Sequence, residues 1–142
     1  MKIPKNVPKK NLIKGAIRRL FSRSPLCREI LASAVHKTKK GPRGGKQYVC
    51  ACCKAAFPAT QVQVDHIVPV MRHDETIQDL DYNTVVMRIF CDEENLQVLC
   101  KECHRHKTTR ERKRKTTWNR TQKKILKDSN KMKAKKRNNA SP

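Results

Sequence analysis

The sequence predicts an α+β fold, in which short strands and helices form a small core around a metal site and basic helices extend from both ends. The chain has 142 residues, of which 37% are hydrophobic and 4% are aromatic, so its apolar core is small and needs further stabilisation. Two C-x-x-C pairs supply the thiolates that a metal site requires. Lysine and arginine accumulate at the two ends of the chain, which is typical of basic extensions.

Charge divides the chain into three segments. Residues 1–49 carry 14 basic residues and one acidic residue, a net charge of +13, whereas residues 50–104 carry −5 and residues 105–142 carry +14. The net charge of +22 and the isoelectric point near 10.2 predict a polyanionic partner, with nucleic acid first and an anionic membrane second. The acidic middle segment would repel phosphates, and carboxylates that bind a metal ion explain part of it.

These patterns predict a basic helical arm and linker over residues 1–46, a metal-stabilised core over residues 47–115 and a basic, flexible tail over residues 116–142. No stretch resembles a secretion signal or approaches the length of a membrane span, so we predict a cytoplasmic protein without a membrane partner. The first 28 residues contain no acidic residue, which is also typical of organelle transit peptides. A DNA-binding arm is equally expected to have that composition, and we favour it.

Two short amphipathic helices are predicted in the N-terminal arm. Over residues 11–21, apolar side chains recur at helical spacing, and they are Leu12, Ile13, Ala16, Ile17, Leu20 and Phe21. Ser24 then has the position of an N-cap before Pro25 at the first helical position. The apolar stripe of this second helix consists of Leu26, Ile30, Leu31, Ala34 and Val35. We predict that both stripes pack against each other or against the core.

Loops and short regular segments alternate through the rest of the chain. Residues 39–46, KKGPRGGK, contain two Pro/Gly clusters and predict a linker or loop. An acidic loop follows residue 71, and DYNTVVMRIF fits a short helix capped at Asp81 or Asn83. NLQVLC is typical of a strand, and KECHRHKTTRERKRK predicts a helix that extends beyond the core.

The strand predicted within QVQVDHIVPV, residues 61–70, contains two ionisable residues, Asp65 and His66. In a strand that buries one face, a carboxylate or imidazole without a partner is costly, so the pair is either satisfied elsewhere or takes part in chemistry. Adjacent strand residues point to opposite faces, so we expect the strand to end or distort here if both side chains reach one ligand.

Cys50 with Cys53, and Cys100 with Cys103, have the spacing with which thiolate pairs bind one tetrahedral Zn²⁺. Structural zinc contributes on the order of 10 kcal/mol to folding, which would compensate for a small core. A reducing compartment disfavours disulfides, and two separate pairs without a thioredoxin-like βαβ pattern disfavour a redox role. The other three cysteines are predicted not to bind the ion, although one of them stands beside Cys53 and competes for it; they are Cys27, Cys52 and Cys91.

Two further polar residues flank the second cysteine pair. Asn95 begins the predicted strand NLQVLC, and His104 directly follows Cys103. A zinc ion shared by the two pairs would tie these elements to the strand that carries Asp65 and His66. We therefore predict that the four polar residues converge.

VDHIVPV, followed by ENLQVLCKECHRHKT, resembles the HNH endonuclease family, with its ββα-metal (His-Me finger) fold and four-cysteine zinc site, over about residues 47–108. The basic flanks and the intervening NTVVMRIFC segment are similar to small HNH proteins encoded by bacteriophages, some of which are homing or nicking endonucleases. The resemblance implies a metal-dependent enzyme that hydrolyses DNA phosphodiester bonds.

The resemblance also implies a role for each motif residue. Asp65 and His104 match the ligands of a catalytic divalent cation, Mg²⁺ or Mn²⁺, with Ni²⁺ also open. His66 matches the general base, and Asn95 matches the residue that orients this base or its loop. The four paired cysteines match the ligands of the structural zinc.

Several alternatives remain open. The long stretch between His66 and Asn95 leaves Asn83 as a rival middle residue of the motif and His73 as a spare ligand. The rival function is a non-catalytic zinc-ribbon protein that binds nucleic acid through the same basic surface. In either case we predict double-stranded DNA as the partner of a monomer or homodimer. The predicted DNA-binding residues are Arg18, Arg19, Arg110, Arg112, Lys113, Arg114 and Lys115.

Overall fold

The computed structural model describes residues 10–75 and 81–138 and has an α+β fold with two small antiparallel sheets. Its elements are α1 (Lys10–Ser22), α2 (Pro25–Ser33), β1 (Val35–Lys40), β2 (Lys46–Val49), β3 (Ala56–Pro58), β4 (Val62–His66), α3 (Tyr82–Ile89), β5 (Leu96–Cys100) and α4 (Lys101–Asn138). Residues 1–9, 76–80 and 139–142, which belong to the predicted arm, acidic loop and tail, lie outside the described residues.

The caps of α2 and α3 follow the local sequence. The Ser24 hydroxyl accepts a hydrogen bond from the Cys27 N–H at 3.2 Å, and Pro25 begins α2 as predicted. The Asp81 carboxylate accepts from the Thr84 N–H at 2.8 Å, which identifies Asp81 rather than Asn83 as the N-cap of α3. Both helices therefore begin where a side chain satisfies a backbone donor of the first turn.

Only one side of the stripe predicted for α1 is packed. Phe21 is buried and Ile17 packs against the same core, whereas Leu12 and Leu20 are 65% and 64% exposed. The buried residues of this core come from α1, α2, α3, β5 and the loop after β4; they are Phe21, Ile30, Val70, Val85, Ile89, Leu96 and Val98. The small number of residues agrees with the low apolar content of the sequence.

The segment predicted as a linker, residues 39–46, forms the ends of two paired strands and the turn between them. β1 pairs with β2, and β2 pairs with β3, in a three-stranded antiparallel sheet. At the turn, a Cβ on Gly41 would lie 2.1 Å from the side-chain nitrogen of the buried Gln47, so only glycine fits without displacing that side chain. The predicted segment boundary after residue 46 falls within β2.

β4 and β5 form a second antiparallel sheet, and β5 continues directly into α4. In its register, Asp65 lies opposite Gln97, and His66 lies opposite Leu96. β4 ends at His66, as expected for a strand that ends at this pair. Because the side-chain period of a strand is two, the Asp65–Gln97 pair faces one side of this sheet and the His66–Leu96 pair faces the other.

An ion pair connects the loop after β4 to α3. The Arg88 guanidinium donates to both carboxylate oxygens of Glu75 and to the Val70 carbonyl. These bonds hold the pKa of Glu75 below its ordinary value and raise that of Arg88.

We expect Glu75→Gln to cost about 1 kcal/mol at neutral pH, because both side chains are only partly buried. A lowered native pKa stabilises the fold above the unfolded-state pKa of about 4.3, and this stabilisation is lost as pH falls through the native pKa. Chemical denaturation of both proteins between pH 7 and pH 3 measures this difference, which should disappear at the acidic end. A constant difference across this range would contradict the ionic contribution.

α4 extends through 38 residues and includes the part of the predicted tail up to Asn138. Flexibility of residues 116–142 in solution stays a prediction. Within the described ranges, no helix combines the length and apolar character that a membrane crossing requires.

Candidate metal centres and active site

Cys50, Cys53, Cys100 and Cys103 converge as predicted, with all four sulfur atoms within 4.8 Å of one another. This separation allows the four thiolates to hold one metal ion such as zinc. Among residues 10–75 and 81–138, no other group of three or more Cys, His, Asp or Glu side chains comes as close together.

The turn that carries Cys50 is built by its own backbone and by β5. Cys50 N–H donates to the Ala55 carbonyl at 2.9 Å, Lys54 N–H donates to the Cys50 carbonyl at 2.9 Å, and Lys54 has a left-handed φ of 61°. The Ala51 N–H donates to the Val98 carbonyl at 2.8 Å, which attaches the turn to β5. The two cysteine pairs thus approach each other through backbone contacts of the folded chain.

The pKa values of Cys50 and Cys103 in this group depend on the neighbouring cysteines. Burial raises the pKa of Cys50, but hydrogen bonds from the backbone N–H groups of Cys100, Cys53 and Cys52 outweigh it and lower the pKa to about 6. The hydrogen bond between Cys103 and the Cys100 sulfur, together with burial, raises the pKa of Cys103. Because the four sulfur atoms lie close together, ionisation of one thiol disfavours ionisation of its neighbours, and a bound cation would favour the fully deprotonated set.

The remaining three cysteines lie outside the group of four, and their predicted role as non-ligands stays a prediction. Cys27 is buried in α2, and that burial raises the pKa of its thiol. Cys91 accepts a hydrogen bond from the Asn95 side-chain amide at 3.5 Å. Cys52 is exposed on the turn next to Cys53. All seven cysteines lie within the described ranges, and none of them forms a disulfide.

Asp65 and His104 come together across the interface of β4 with α4. Asp65 Oδ1 lies 3.5 Å from His104 Nε2. The other oxygen, Oδ2, is 3.0 Å from Lys107 Nζ and accepts a hydrogen bond from the Gln97 amide at 3.3 Å. The carboxylate therefore has one oxygen held by the protein and one oxygen directed towards a histidine nitrogen.

Lys107 belongs to the same site, although the sequence motif assigned it no role. Its side chain is only 16% exposed, and its ammonium donates to the His66 carbonyl at 2.7 Å and pairs with both Asp65 and Glu111. Burial lowers the pKa of Lys107, but the hydrogen bonds from this ammonium to Glu111 and Asp65 raise it above its ordinary value. The sequence feature that could have identified Lys107 as part of the site is its spacing, because it lies three residues after His104 and on the same face of the helix.

His66 faces away from the Asp65 carboxylate. Its ring packs against Phe21 with a centroid distance of 4.9 Å, and its Nε2 is 2.9 Å from the Ile89 carbonyl oxygen. A carbonyl only accepts hydrogen bonds, so Nε2 carries the proton and Nδ1 keeps its lone pair in the neutral ring. The expected convergence of the His66 and Asp65 side chains on one ligand stays a prediction.

Asn95 connects the start of β5 to the chain just beyond His66. Its backbone carbonyl accepts from the Ile67 N–H and its side-chain oxygen accepts from the Val68 N–H, both at 2.8 Å. These contacts suit the predicted role of orienting the loop that follows the base. The rival Asn83 lies in the first turn of α3, and His73 lies in the loop after β4.

The predicted DNA-binding residues lie on two helices. Arg18 and Arg19 are exposed on α1, and the others line two turns of α4. Of this second group, Arg110, Arg112, Lys113 and Arg114 are exposed. Lys115 is half-buried and donates to the Glu75 carbonyl at 3.2 Å.

Comparisons with models of protein families, with curated proteins and with solved structures find no match for the chain. The resemblance to HNH endonucleases therefore depends on the motif residues alone, and what it implies about function is a proposal.

Proposed function

We propose that this protein is a metal-dependent endonuclease of the HNH type that hydrolyses phosphodiester bonds of double-stranded DNA. The observation that carries the proposal is the 3.5 Å approach of Asp65 Oδ1 to His104 Nε2 at the junction of two antiparallel strands and a helix. The sequence motif predicts both residues as ligands independently of this distance. If the motif had arisen by chance, these two residues would not be expected to lie next to each other in the fold.

Asp65 and His104 would hold a catalytic divalent cation, and their oxygen and nitrogen donors suit Mg²⁺, Mn²⁺ or Ni²⁺. When bound, such a cation stabilises the negative charge that develops on the phosphate and on the departing oxygen. Because Lys107 and Gln97 occupy Oδ2 of Asp65, Oδ1 is the oxygen that remains for the cation. Two protein ligands leave room for water and a phosphate oxygen.

His66 is the proposed general base. The Ile89 carbonyl fixes its Nε2 as the protonated nitrogen, so Nδ1 can accept a proton from water. Packing against Phe21 restricts rotation of the ring. Asn95 supports the same region by holding residues 67 and 68, which keeps the chain beyond the base in one position.

The four cysteines are proposed to bind a structural zinc. This ion would fix the start of α4 relative to β5, because Cys100 ends the strand and Cys103 lies in the first turn of the helix. His104 follows immediately, so the zinc would position a ligand of the second cation through a single peptide bond.

A second candidate function, non-catalytic DNA binding, is favoured by how well the polar residues are already satisfied. Lys107 neutralises Asp65, and His66 has a carbonyl partner and an aromatic neighbour. Such contacts are also expected of residues that only stabilise a fold. The two candidates differ in one property, which is cleavage.

Incubation of the zinc-loaded protein with supercoiled plasmid, with and without Mg²⁺, Mn²⁺ or Ni²⁺, tests the proposal. We expect nicked or linear product that depends on the divalent cation and is absent with EDTA. Plasmid that is bound and retarded but never cleaved under any of these conditions would favour the non-catalytic binder.

Removal of residues 116–142 should weaken DNA binding. This segment contains nine basic residues and one acidic residue, and neutralised phosphates release counterions. The slope of log K against log salt should become shallower by about one unit for each phosphate that the shortened protein no longer neutralises. A control of equal length, with these nine residues replaced by glutamine, separates charge from chain length. An unchanged slope in both variants would exclude the tail from phosphate binding.

A further inference from the structure

A cleft of about 430 Å³ lies between the loop after β4 and the middle of α4. Val68, Pro69 and Met71 line it from the loop, and the helix contributes Arg112 and Arg114 among others. The cleft combines an apolar wall with a cationic wall, a composition that suits a ligand with one apolar part and one anionic part.

Three arginines form the cationic wall of the cleft, one from the loop and two from α4. Arg72, Arg112 and Arg114 form no ion pair with any other side chain in the described part of the chain. The one carboxylate in the lining, Glu111, is already paired with Lys107. Guanidinium groups donate paired hydrogen bonds that match the oxygens of a phosphate.

The apolar wall is exposed but held in position. Val68 is 54% exposed, although its backbone N–H is bound by the Asn95 side chain. Its neighbour Ile67 is 48% exposed and does not line the cleft. A fixed apolar surface beside these guanidinium groups can contact the sugar or base of a nucleotide whose phosphate they bind.

The cleft adjoins the candidate active site at both walls. Val68 lies two residues after His66, and Glu111 accepts a hydrogen bond from Lys107, which also binds Asp65. Glu111 and His104 are seven residues apart on α4, about 10 Å along the helix axis, so a DNA strand that follows this helix would pass from the cleft to the Asp65–His104 pair.

We infer that this cleft binds one nucleotide of the DNA strand next to the phosphate that is cleaved, with Arg72, Arg112 and Arg114 at its phosphate and Val68, Pro69 and Met71 at its sugar or base. The identity of the ligand rests on the proposed function, since the active site and the two basic ends of the chain select DNA over other anions.

Photocrosslinking of the full chain to a 16-nucleotide DNA containing 5-iodouracil, as a single strand and as a duplex, tests the location directly. The reaction is run without a divalent cation, so binding is observed independently of cleavage. We expect a cross-linked peptide that contains residues 68–73, where Met71 and His73 are reactive neighbours. Cross-links confined to α1 or to residues 116–138 would overturn the inference.

Two adjacent substitutions provide a matched comparison. Binding is measured with a 16-nucleotide DNA that carries a fluorescein label. Val68→Asp adds a carboxylate to the cleft and should weaken binding of this oligonucleotide about tenfold, because like charges repel across an interface. Ile67→Asp makes the same change beside the cleft and should weaken binding less than about threefold. Equal losses would overturn the inference, and circular dichroism checks that both variants are folded.

The outcomes separate the cleft from the nuclease. If Val68→Asp weakens DNA binding more than Ile67→Asp does, but the protein cleaves no plasmid, the cleft is a DNA site and the protein is not a nuclease. If the protein cleaves plasmid but the two variants bind DNA equally well, the cleft is rejected as a DNA site and the nuclease proposal stands. A glutamate-rich peptide that distinguishes the two variants as strongly as the oligonucleotide does would assign the cleft to acidic peptides and overturn the inference.

Discussion

Cys100→Ser is expected to abolish zinc binding and to prevent cooperative folding. The proposed zinc contributes on the order of 10 kcal/mol, which is comparable to the whole stability of a small domain. Cys100 is buried, and its sulfur and backbone N–H contact Cys103 and Cys50 respectively. The small apolar core cannot compensate for this loss. Zinc content per chain and thermal unfolding followed by circular dichroism measure the result.

Cys52→Ser is the matched control. Cys52 is exposed on the turn, between Ala51 and Cys53, and is outside the group of four sulfurs. This variant should keep one zinc per chain and a transition close to that of the wild type. A Cys100→Ser protein that unfolds cooperatively without zinc would exclude a structural metal, and loss of zinc from Cys52→Ser would make Cys52 a ligand.

His66→Gln is expected to lose DNA cleavage by about two to four orders of magnitude, the usual contribution of a general base. Glutamine keeps a side-chain N–H that can donate to the Ile89 carbonyl, so the fold and the DNA affinity should be retained. The substitution removes the basic nitrogen and also the ring that packs against Phe21, so circular dichroism is needed to check the fold. Rates of plasmid nicking at saturating divalent cation measure the effect.

Asp65→Asn separates the two roles within the active site. If Asp65 is a ligand, this variant should bind the cation more weakly, so a higher Mn²⁺ concentration should partly restore its cleavage, whereas His66→Gln should not respond. His106→Gln is a control on the same helix, since the His106 side chain is 69% exposed, and it should cleave as the wild type does. If His66→Gln nicked plasmid at the wild-type rate after removal of host nucleases, His66 would not be the base.

Local chemistry explains which parts of the fold could be predicted from the sequence. The caps of α2 and α3, the strand NLQVLC and each of the two C-x-x-C pairs depend on residues that are close together in the chain. The meeting of the two pairs is a tertiary contact, and it could be predicted because one tetrahedral zinc ion needs four ligands. By contrast, β1 has an exposed, lysine-rich sequence without apolar alternation, so no local signal separated it from a linker. Its pairing with β2 depends on the turn at Gly41 and on the buried Gln47.

The sequence predicted the proximity of Asp65 and His104 in the candidate site, but it did not predict the part played by Lys107 or the direction of the His66 side chain. The motif predicts that Asp65 and His104 lie together, and their side chains approach to 3.5 Å. The separate environments of Asp65 and His66 follow from the regular pairing of β4 with β5, which continues up to His66. The role of Lys107 depends on contacts with β4, and the cleft beside it depends on the path of a loop. The spacing from His104 places Lys107 on the same face of the helix, but the sequence does not show which residues of other elements that face contacts.

Because α4 is one continuous helix, the side chains of its distal part have a fixed orientation about the helix axis relative to those near its start. A single helix of about 57 Å carries Cys103, His104, Lys107 and one wall of the cleft near its start, and it continues to Asn138. Each residue turns the helix by about 100°, so one residue inserted after position 115 would rotate every distal lysine by that angle about the axis. Four inserted residues would nearly restore the original direction while moving the distal charges about 6 Å farther away. The angle at which the basic end would meet the proposed DNA partner is therefore set by the number of residues in the helix, separately from its charge.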